Sequence, residues 1–197
     1  MIARLLALIA ILCLGCAAPS PPPPSTVRSV AVLAPSNRTG DGLLVSGASL
    51  LEKYAFRTDR VTVADVLGAE LRSELAHRGF AVVPPDVVHA ATGGRPAGTP
   101  EAAAEMARHG HLDAPVLMVA IDRWEPDAET HPAFVIVALD AALVESSSGT
   151  VLWSSHRRAS PVATPGTVTL GTAYEIAARK VAEELVGSWG SERPPGE

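Results

Sequence analysis

The stretch Ala133-Phe-Val-Ile-Val-Ala-Leu-Asp-Ala-Ala-Leu-Val144, followed after Glu145 by Ser146-Ser-Ser-Gly149 and Thr150-Val-Leu-Trp-Ser-Ser155, decides the fold. Two apolar runs rich in Val, Leu and Trp flank a polar turn that closes on Gly. This is the pattern of an antiparallel hairpin, a long strand over Ala133–Val144 returning through Thr150–Ser155. Just upstream, Asp122 to Pro132 holds two prolines and four acidic residues and reads as a loop. Before it, Ala114-Pro-Val-Leu-Met-Val-Ala-Ile121 is apolar almost throughout and reads as a buried strand. Trp124, in the loop after that strand, is the tryptophan expected to stand exposed as a partner contact, while Trp153 and Trp189 are expected in the core or at the sheet edge.

Further toward the amino terminus, Ser29-Val-Ala-Val-Leu-Ala34 is another nearly all-apolar run, stopped by Pro35. It reads as a buried central strand. Helix signals are clearest over Val63–Arg78. Thr62 and Asp65 form a capping pair, and Leu67, Leu71 and Leu75 recur at spacing four on one face with Ala64. His77 and Arg78 close the last turn, and Gly79 can adopt the left-handed cap. Phe80–Val83 is a strand ended by Pro84-Pro85, which makes a βαβ-like unit. A short helix falls over Asp86–Ala91. Thr99-Pro100-Glu101 opens another that runs to His109 and stops at Gly110. Residues 156–170 read as irregular. Thr172 to Glu175 spells a capping box for a last helix to about Ser188, with Tyr174, Ala177, Val181, Leu185 and Trp189 near one face.

The resulting order is β-α-β-α-β-β-β-α, an α/β (α+β) fold with a mixed sheet and helices packed on it. Between the first strand and first helix, residues 43–61 hold neither a helical nor a strand period for long and read as an excursion with a short helix near 48–54. The expected organisation is a leader over 1–15, a spacer over 16–27, one α/β domain over 28–189 and a disordered tail over 190–197.

Composition bounds the function. The 197 residues are 47% apolar and 19% charged, which is the balance of a globular protein, and one domain is the expectation. A formal charge of −5 gives no electrostatic basis for nucleic-acid binding. The two cysteines, Cys13 and Cys16, both lie near the amino terminus, which excludes a structural disulfide within the fold and a cysteine-based zinc site.

The amino terminus reads as an address. Arg4 precedes the unbroken apolar run Leu5–Leu14. Ten residues of helix cover about 15 Å, half a bilayer core, too short to span it but the length of an export signal's apolar region. Gly15-Cys16 follows at once. The arrangement resembles the bacterial lipoprotein signal, with cleavage after Gly15 and acylation of Cys16. It departs from that pattern in carrying Cys13 where a Leu is usual. An ordinary secretory signal cut near Ala17-Ala18 is the alternative. Two or more acyl chains hold a protein firmly on a bilayer. The resemblance implies palmitate-type acylation, and the absence of Asp at position 17 implies the outer membrane. Five of the ten residues 17–26 are Pro, so this spacer favours an extended polyproline helix that would hold the domain up to about 30 Å from the lipid. Loss of residues 1–15 removes Arg4 and no acid, leaving a charge of −6, so the acyl group rather than lipid headgroup attraction would do the anchoring.

With this leader, four segments carry a wider resemblance: Val30-Ala-Val-Leu33 leading to Asn37; Val66 to Phe80, ending Arg78-Gly79-Phe80; Leu112-Asp-Ala-Pro-Val-Leu117; and Leu143 to Ser154 through the Gly-containing turn to Trp153. Their order over residues 28–187 resembles a superfamily of bacterial envelope lipoproteins. It includes the curli-secretion channel lipoprotein, the penicillin-binding-protein activator lipoproteins, the amino-terminal domain of TolB and a small family of surface lipoproteins first noted as vaccine candidates. The resemblance implies a TolB-amino-terminal, anticodon-binding-like domain working in the envelope, on the periplasmic side or at the cell surface. Residues 42–61 are longer than that group's pattern. No second long alternating hairpin is present that could cross a membrane as a channel subunit's would.

Several constellations touch on chemistry without composing it. Gly42-Leu-Leu-Val-Ser-Gly47-Ala48-Ser49 approaches a phosphate-binding loop, but Ala48 stands where the phosphate-reaching Lys must be. His109, His111 and Asp113 lie at a helix end without a zinc spacing of known type. Asp127, Glu129 and His131 alternate in one loop, as either metal ligands or a solvated turn. Ser49, Ser154 and Ser155 are candidate hydroxyls with His156 adjoining, but neighbouring strand residues face opposite ways, so Ser155 and His156 do not meet. No Gly-x-Ser-x-Gly elbow is present. The expectation is therefore a non-enzymatic envelope lipoprotein without cofactor or metal, anchored at Cys16. It would act as a protein-binding or assembly module in export, surface assembly or cell-wall-synthase regulation, with homo-oligomerisation open. The alternatives are an envelope hydrolase or metal-dependent enzyme, and a ring-forming subunit of an export complex.

Overall fold

The computed structural model of the chain describes residues 23–45 and 60–189. Gly15, Cys16, residues 17–22 of the spacer, Ser49, the short helix expected near 48–54 and the tail from 190 lie outside them. In chain order the elements are β1 (Ser29–Val32), β2 (Ser36–Asn37), α1 (Val63–His77), β3 (Ala81–Val82), α2 (Pro85–Thr92), α3 (Pro100–His109), β4 (Val116–Pro126), β5 (Phe134–Val144), β6 (Val151–Ala163) and α4 (Leu170–Val186). The strands form one mixed sheet in the order β3-β1-β4-β5-β6, with β2 also beside β4. β1 runs parallel to β3 and to β4, whereas β4, β5 and β6 are antiparallel. The mixed α/β architecture expected from the hairpin and the βαβ unit is the architecture observed.

Local chemistry sets most of the boundaries. The Thr62 side chain accepts from the Asp65 N–H, and Asp65 accepts in turn from the Thr62 N–H at 2.9 Å, a reciprocal capping box that starts α1. Gly79, just past its end, has φ +85°, a backbone that favours glycine. Thr99 caps α3 through the Ala102 N–H with Pro100 at the first turn.

Three boundaries differ from the sequence reading. The strand expected to stop at Ile121 continues to Pro126, because a bulge at Asp122 resets the alternation. Ile121 pairs with Leu139, and Arg123 pairs with Ala138. A strict two-residue period therefore fails at Asp122-Arg123, although the ladder goes on. The hairpin loop is correspondingly shorter, and the Asp127 carboxylate closes it by accepting from the Ala133 and Phe134 N–H groups. The last strand runs to Ala163 rather than Ser155, through a second irregularity at Arg158-Ala159. α4 starts at Leu170, capped by Thr169, which accepts from the Thr172 N–H; Thr172 sits inside the first turn. Leu170 packs against the core, which draws the helix start upstream of the box read from the sequence.

The sheet has two unequal covers. On one face α1 and α4 bury Leu67, Leu71, Leu75, Ala177, Val181 and Leu185 against inward residues of β1, β4, β5 and β6. Phe80, Trp189 and Trp153 meet edge to face there, with centroids 5.9 and 4.8 Å apart, and Trp124 meets Tyr174 at 6.5 Å. On the other face α2 and α3 cover a smaller core of Ala31, Leu33, Val116, Met118, Ala120, Ala142 and Val144.

Candidate functional site

The smaller cover leaves part of the sheet bare. Along β5 the odd-numbered residues Val135 to Leu143 are buried under α1 and α4. The even-numbered ones divide. Ala142 and Val144 lie in the core beneath α2 and α3, whereas Phe134, Ile136 and Ala138 are half-buried and pack into neither core. Cross-strand partners extend the strip. Pro161 and Ala163 of β6 lie opposite Ile136 and Phe134, and Glu125 and Arg123 of β4 lie opposite Ile136 and Ala138. Among the described residues this is a sheet face with apolar side chains and no helix over it.

Charge borders the strip. Arg123 and Glu125 pair at 2.5 Å, and the carboxylate holds the guanidinium above its ordinary pKa. Toward the β1 side, Arg38 Nη1 lies 3.1 Å from Asp122 Oδ1 and 3.7 Å from Asp140 Oδ2, and its Nη2 donates to the Gly98 carbonyl. Asp140 Oδ1 lies 2.6 Å from His156 Nδ1. These four side chains come from residues 38, 122, 140 and 156, on three strands and the segment after β2, and only the sheet register brings them together. An apolar centre with a charged rim is the chemistry of a protein contact surface.

Trp124 is not part of it. It lies in β4 rather than in a loop and is 2% exposed, packed under α4 against Tyr174. The bulge at Asp122 turns it inward, so its expected role as an exposed partner contact is corrected. Phe134, Ile136 and Ala138 take the place assigned to it. The sequence missed them because a long apolar strand reads as buried on both faces.

The other candidates stay scattered. His109 and His111 line one shallow surface hollow with Glu105 and Arg108, and His109 Nδ1 contacts the Glu105 carbonyl at 2.8 Å. His131 sits at the hairpin loop with φ 54°, while Asp127 is spent on closing that loop. Ser154 and Ser155 of β6 lie opposite Ala142 and Ala141 on the two faces of the sheet, and the imidazole of His156 is engaged by Asp140. Among the described residues no group of three or more His, Cys, Asp or Glu stands close enough to hold a metal ion. No described helix is long and apolar enough to cross a membrane.

No protein-family model matches the chain, and no curated protein matches it in sequence. Among solved structures it is similar to a PelC dodecamer from Paraburkholderia phytofirmans, at 18% identity over 84% of this chain and 94% of that one, with a TM-score of 0.47. It is also similar to lipoprotein GNA1162 from Neisseria meningitidis, at 18% identity over 79% and 95% with a TM-score of 0.45. A third is the LpoB C-terminal domain from Salmonella enterica, at 18% identity over 82% and 95% with a TM-score of 0.40. Likeness at this level carries no argument about partners, ligands or assembly.

Proposed function

We propose that this chain is a non-catalytic lipoprotein of the bacterial cell envelope whose α/β domain is a protein-binding or assembly module. The observation that carries the reading is the uncovered strip of Phe134, Ile136 and Ala138 with its charged rim, on a sheet otherwise packed by helices. The leader ending at Gly15-Cys16 supports the address. Acylation at Cys16 holds the chain on the membrane, with the outer membrane favoured by Ala17. The Pro-rich spacer confines the domain to a shell about 30 Å deep, which raises its effective concentration toward membrane partners. Export, surface assembly and regulation of cell-wall synthases are the settings in which such tethering works.

Two experiments test it. Cys16→Ala should move the protein from the membrane to the soluble envelope fraction, and retention of that variant on the membrane refutes the anchor. Ile136→Asp places a carboxylate in the centre of the strip without touching either core. In intact-cell crosslinking it should abolish adducts that the unaltered chain forms, while the isolated variant keeps its unfolding midpoint. Mass in detergent then assigns the lost adduct to a second copy or to another protein. Adducts unchanged by Ile136→Asp sink the assignment of this face.

A further inference from the structure

β1 lies at a topological switch point. The chain leaves it through α1 to reach β3 on one side, and enters β4 on its other side after α2 and α3. α1 belongs to one cover of the sheet and α2 and α3 to the other, so the helices part at the carboxyl end of β1. In open α/β sheets such a parting forms the crevice in which ligands bind. Here it is a cleft of about 330 Å³, at the lower end of the volume that small-molecule sites have.

Its walls mix apolar and polar groups: Val32, Ala34 and Pro35 after β1 and Val88 of α2 form an apolar bed, and Asp65 of α1 and His89 of α2 border it. One cation lies among them. Arg72 is half-buried and, among the described residues, has no hydrogen bond or ion pair. It stands apart from the other arginines. Those partly or fully shielded from water hold a carboxylate: Arg78 bonds Glu74 and Arg157 bonds Glu184. Described arginines without a carboxylate, such as Arg28, Arg60 and Arg158, are exposed and solvated.

The position of the guanidinium is built. A Cβ placed on Gly68 would lie 3.4 Å from Arg72 Nη1 and 3.3 Å from Pro35 Cδ. The Arg72 side chain thus folds back along α1 toward the turn after β1, as long helical side chains lean, and the absence of a side chain at position 68 gives it that bed. Burial pushes its pKa down, and the field of Asp65 only partly opposes this. Asp65 makes no ion pair with Arg72, and its Oδ2 accepts from the Thr62 N–H and hydroxyl at 2.9 and 2.7 Å.

We propose that this cleft binds a small monocarboxylate with an apolar body. The carboxylate meets the Arg72 guanidinium in a two-bonded fork, a geometry that planar guanidinium favours, and the body lies on Val32, Ala34, Pro35 and Val88. With Arg72 as its one arginine or lysine and Asp65 on the same wall, the cleft disfavours a dianion such as phosphate. The site is distinct from the sheet strip and stands or falls separately from it.

The test uses the full chain in detergent with sodium butyrate as probe, and butan-1-ol and inorganic phosphate as controls at matched ionic strength. Butyrate alone should raise the thermal midpoint saturably, as a ligand that binds only the folded state does. Arg72→Met should weaken butyrate binding about ten- to hundredfold, the worth of a charged hydrogen-bonded contact, and Arg72→Lys should keep part of it. A second measurement needs no variant. Butyrate should slow phenylglyoxal modification of Arg72 in the unaltered protein, read by peptide mass, and leave Arg28 and Arg95 unaffected. The proposal is overturned if butyrate gives no saturable shift, if butan-1-ol or phosphate does as well, if Arg72→Met binds equally, or if Arg72 labelling is unprotected.

Discussion

Arg157 should be the most costly polar side chain in the domain to remove. It sits on β6 on the core-facing side, 9% exposed, at the step where the β5–β6 register slips between Val137 and Leu139. Its Nη1 donates to the carbonyls of Val137 and, at 3.2 Å, Ser160, while Nε bonds Glu184 of α4 at 3.1 Å. The guanidinium thus supplies donors at the bulge and ties β6 to the helix above it. Arg157→Met keeps most of the aliphatic stem and removes the donors. A buried acceptor left without its partner costs about 1–3 kcal/mol. The Glu184 bond adds less than about 1 kcal/mol, because that side chain is 57% exposed and rehydrates. The expected loss is about 2–3 kcal/mol for Arg157→Met and under about 0.5 kcal/mol for Glu184→Gln, whose amide still accepts. The assay is urea unfolding followed by fluorescence of Trp124, Trp153 and Trp189, all buried and so all sensitive to unfolding. With a urea slope of about 2 kcal/mol/M, the Arg157→Met midpoint should fall by about 1–1.5 M at unchanged slope. A loss below 1 kcal/mol, or an equal loss for Glu184→Gln, refutes the bulge-bridging role.

Gly110 ends α3 where it meets α2, and a Cβ there would stand 2.6 Å from the Ala91 carbonyl oxygen and 2.8 Å from Ala91 Cβ. Gly110→Ala should therefore lower stability by about 1–3 kcal/mol through overpacking, measured by the same urea titration; a neutral result would show that α2 yields freely. Tyr174 titrates above its ordinary value near 10, first because burial disfavours the phenolate and second because Asp41 repels it. Its contribution is complete below the unfolded-state pKa and is lost as pH climbs from there through the raised folded value. Tyr174→Phe should flatten that part of the alkaline stability profile, read as unfolding midpoint against pH from 8 to 12, and an unchanged slope above pH 10 argues against the burial.

The helix starts were legible because capping is local. Thr62 with Asp65, and Thr99 with Pro100, are satisfied within four residues, so no distant contact is needed to read them. The same locality misled at α4, where Thr169 and Thr172 both carry a capping hydroxyl and the burial of Leu170 chose between them. The apolar run Ala133–Val144 and the polar turn after it gave the strand and its hairpin, but an apolar residue does not say whether a helix lies over it. Phe134, Ile136 and Ala138 stay half-buried because α2 and α3 cover β5 only at its Ala142–Val144 end. Bulges at Asp122 and Arg158-Ala159 broke the two-residue period, which hid the far ends of β4 and β6 and turned Trp124 inward.

By itself the sequence determined what neighbouring residues decide: the apolar run before Gly15-Cys16, the helix caps, the hairpin turn and the mixed α/β order. Only the tertiary structure decided which parts of the sheet stay uncovered. It also joined Arg38, Asp122, Asp140 and His156, and placed Arg72, without a hydrogen bond or ion pair among the described residues, in a cleft between two helices. Those outcomes depend on strand register and on which helix covers which face, and both are set by contacts between residues far apart along the chain.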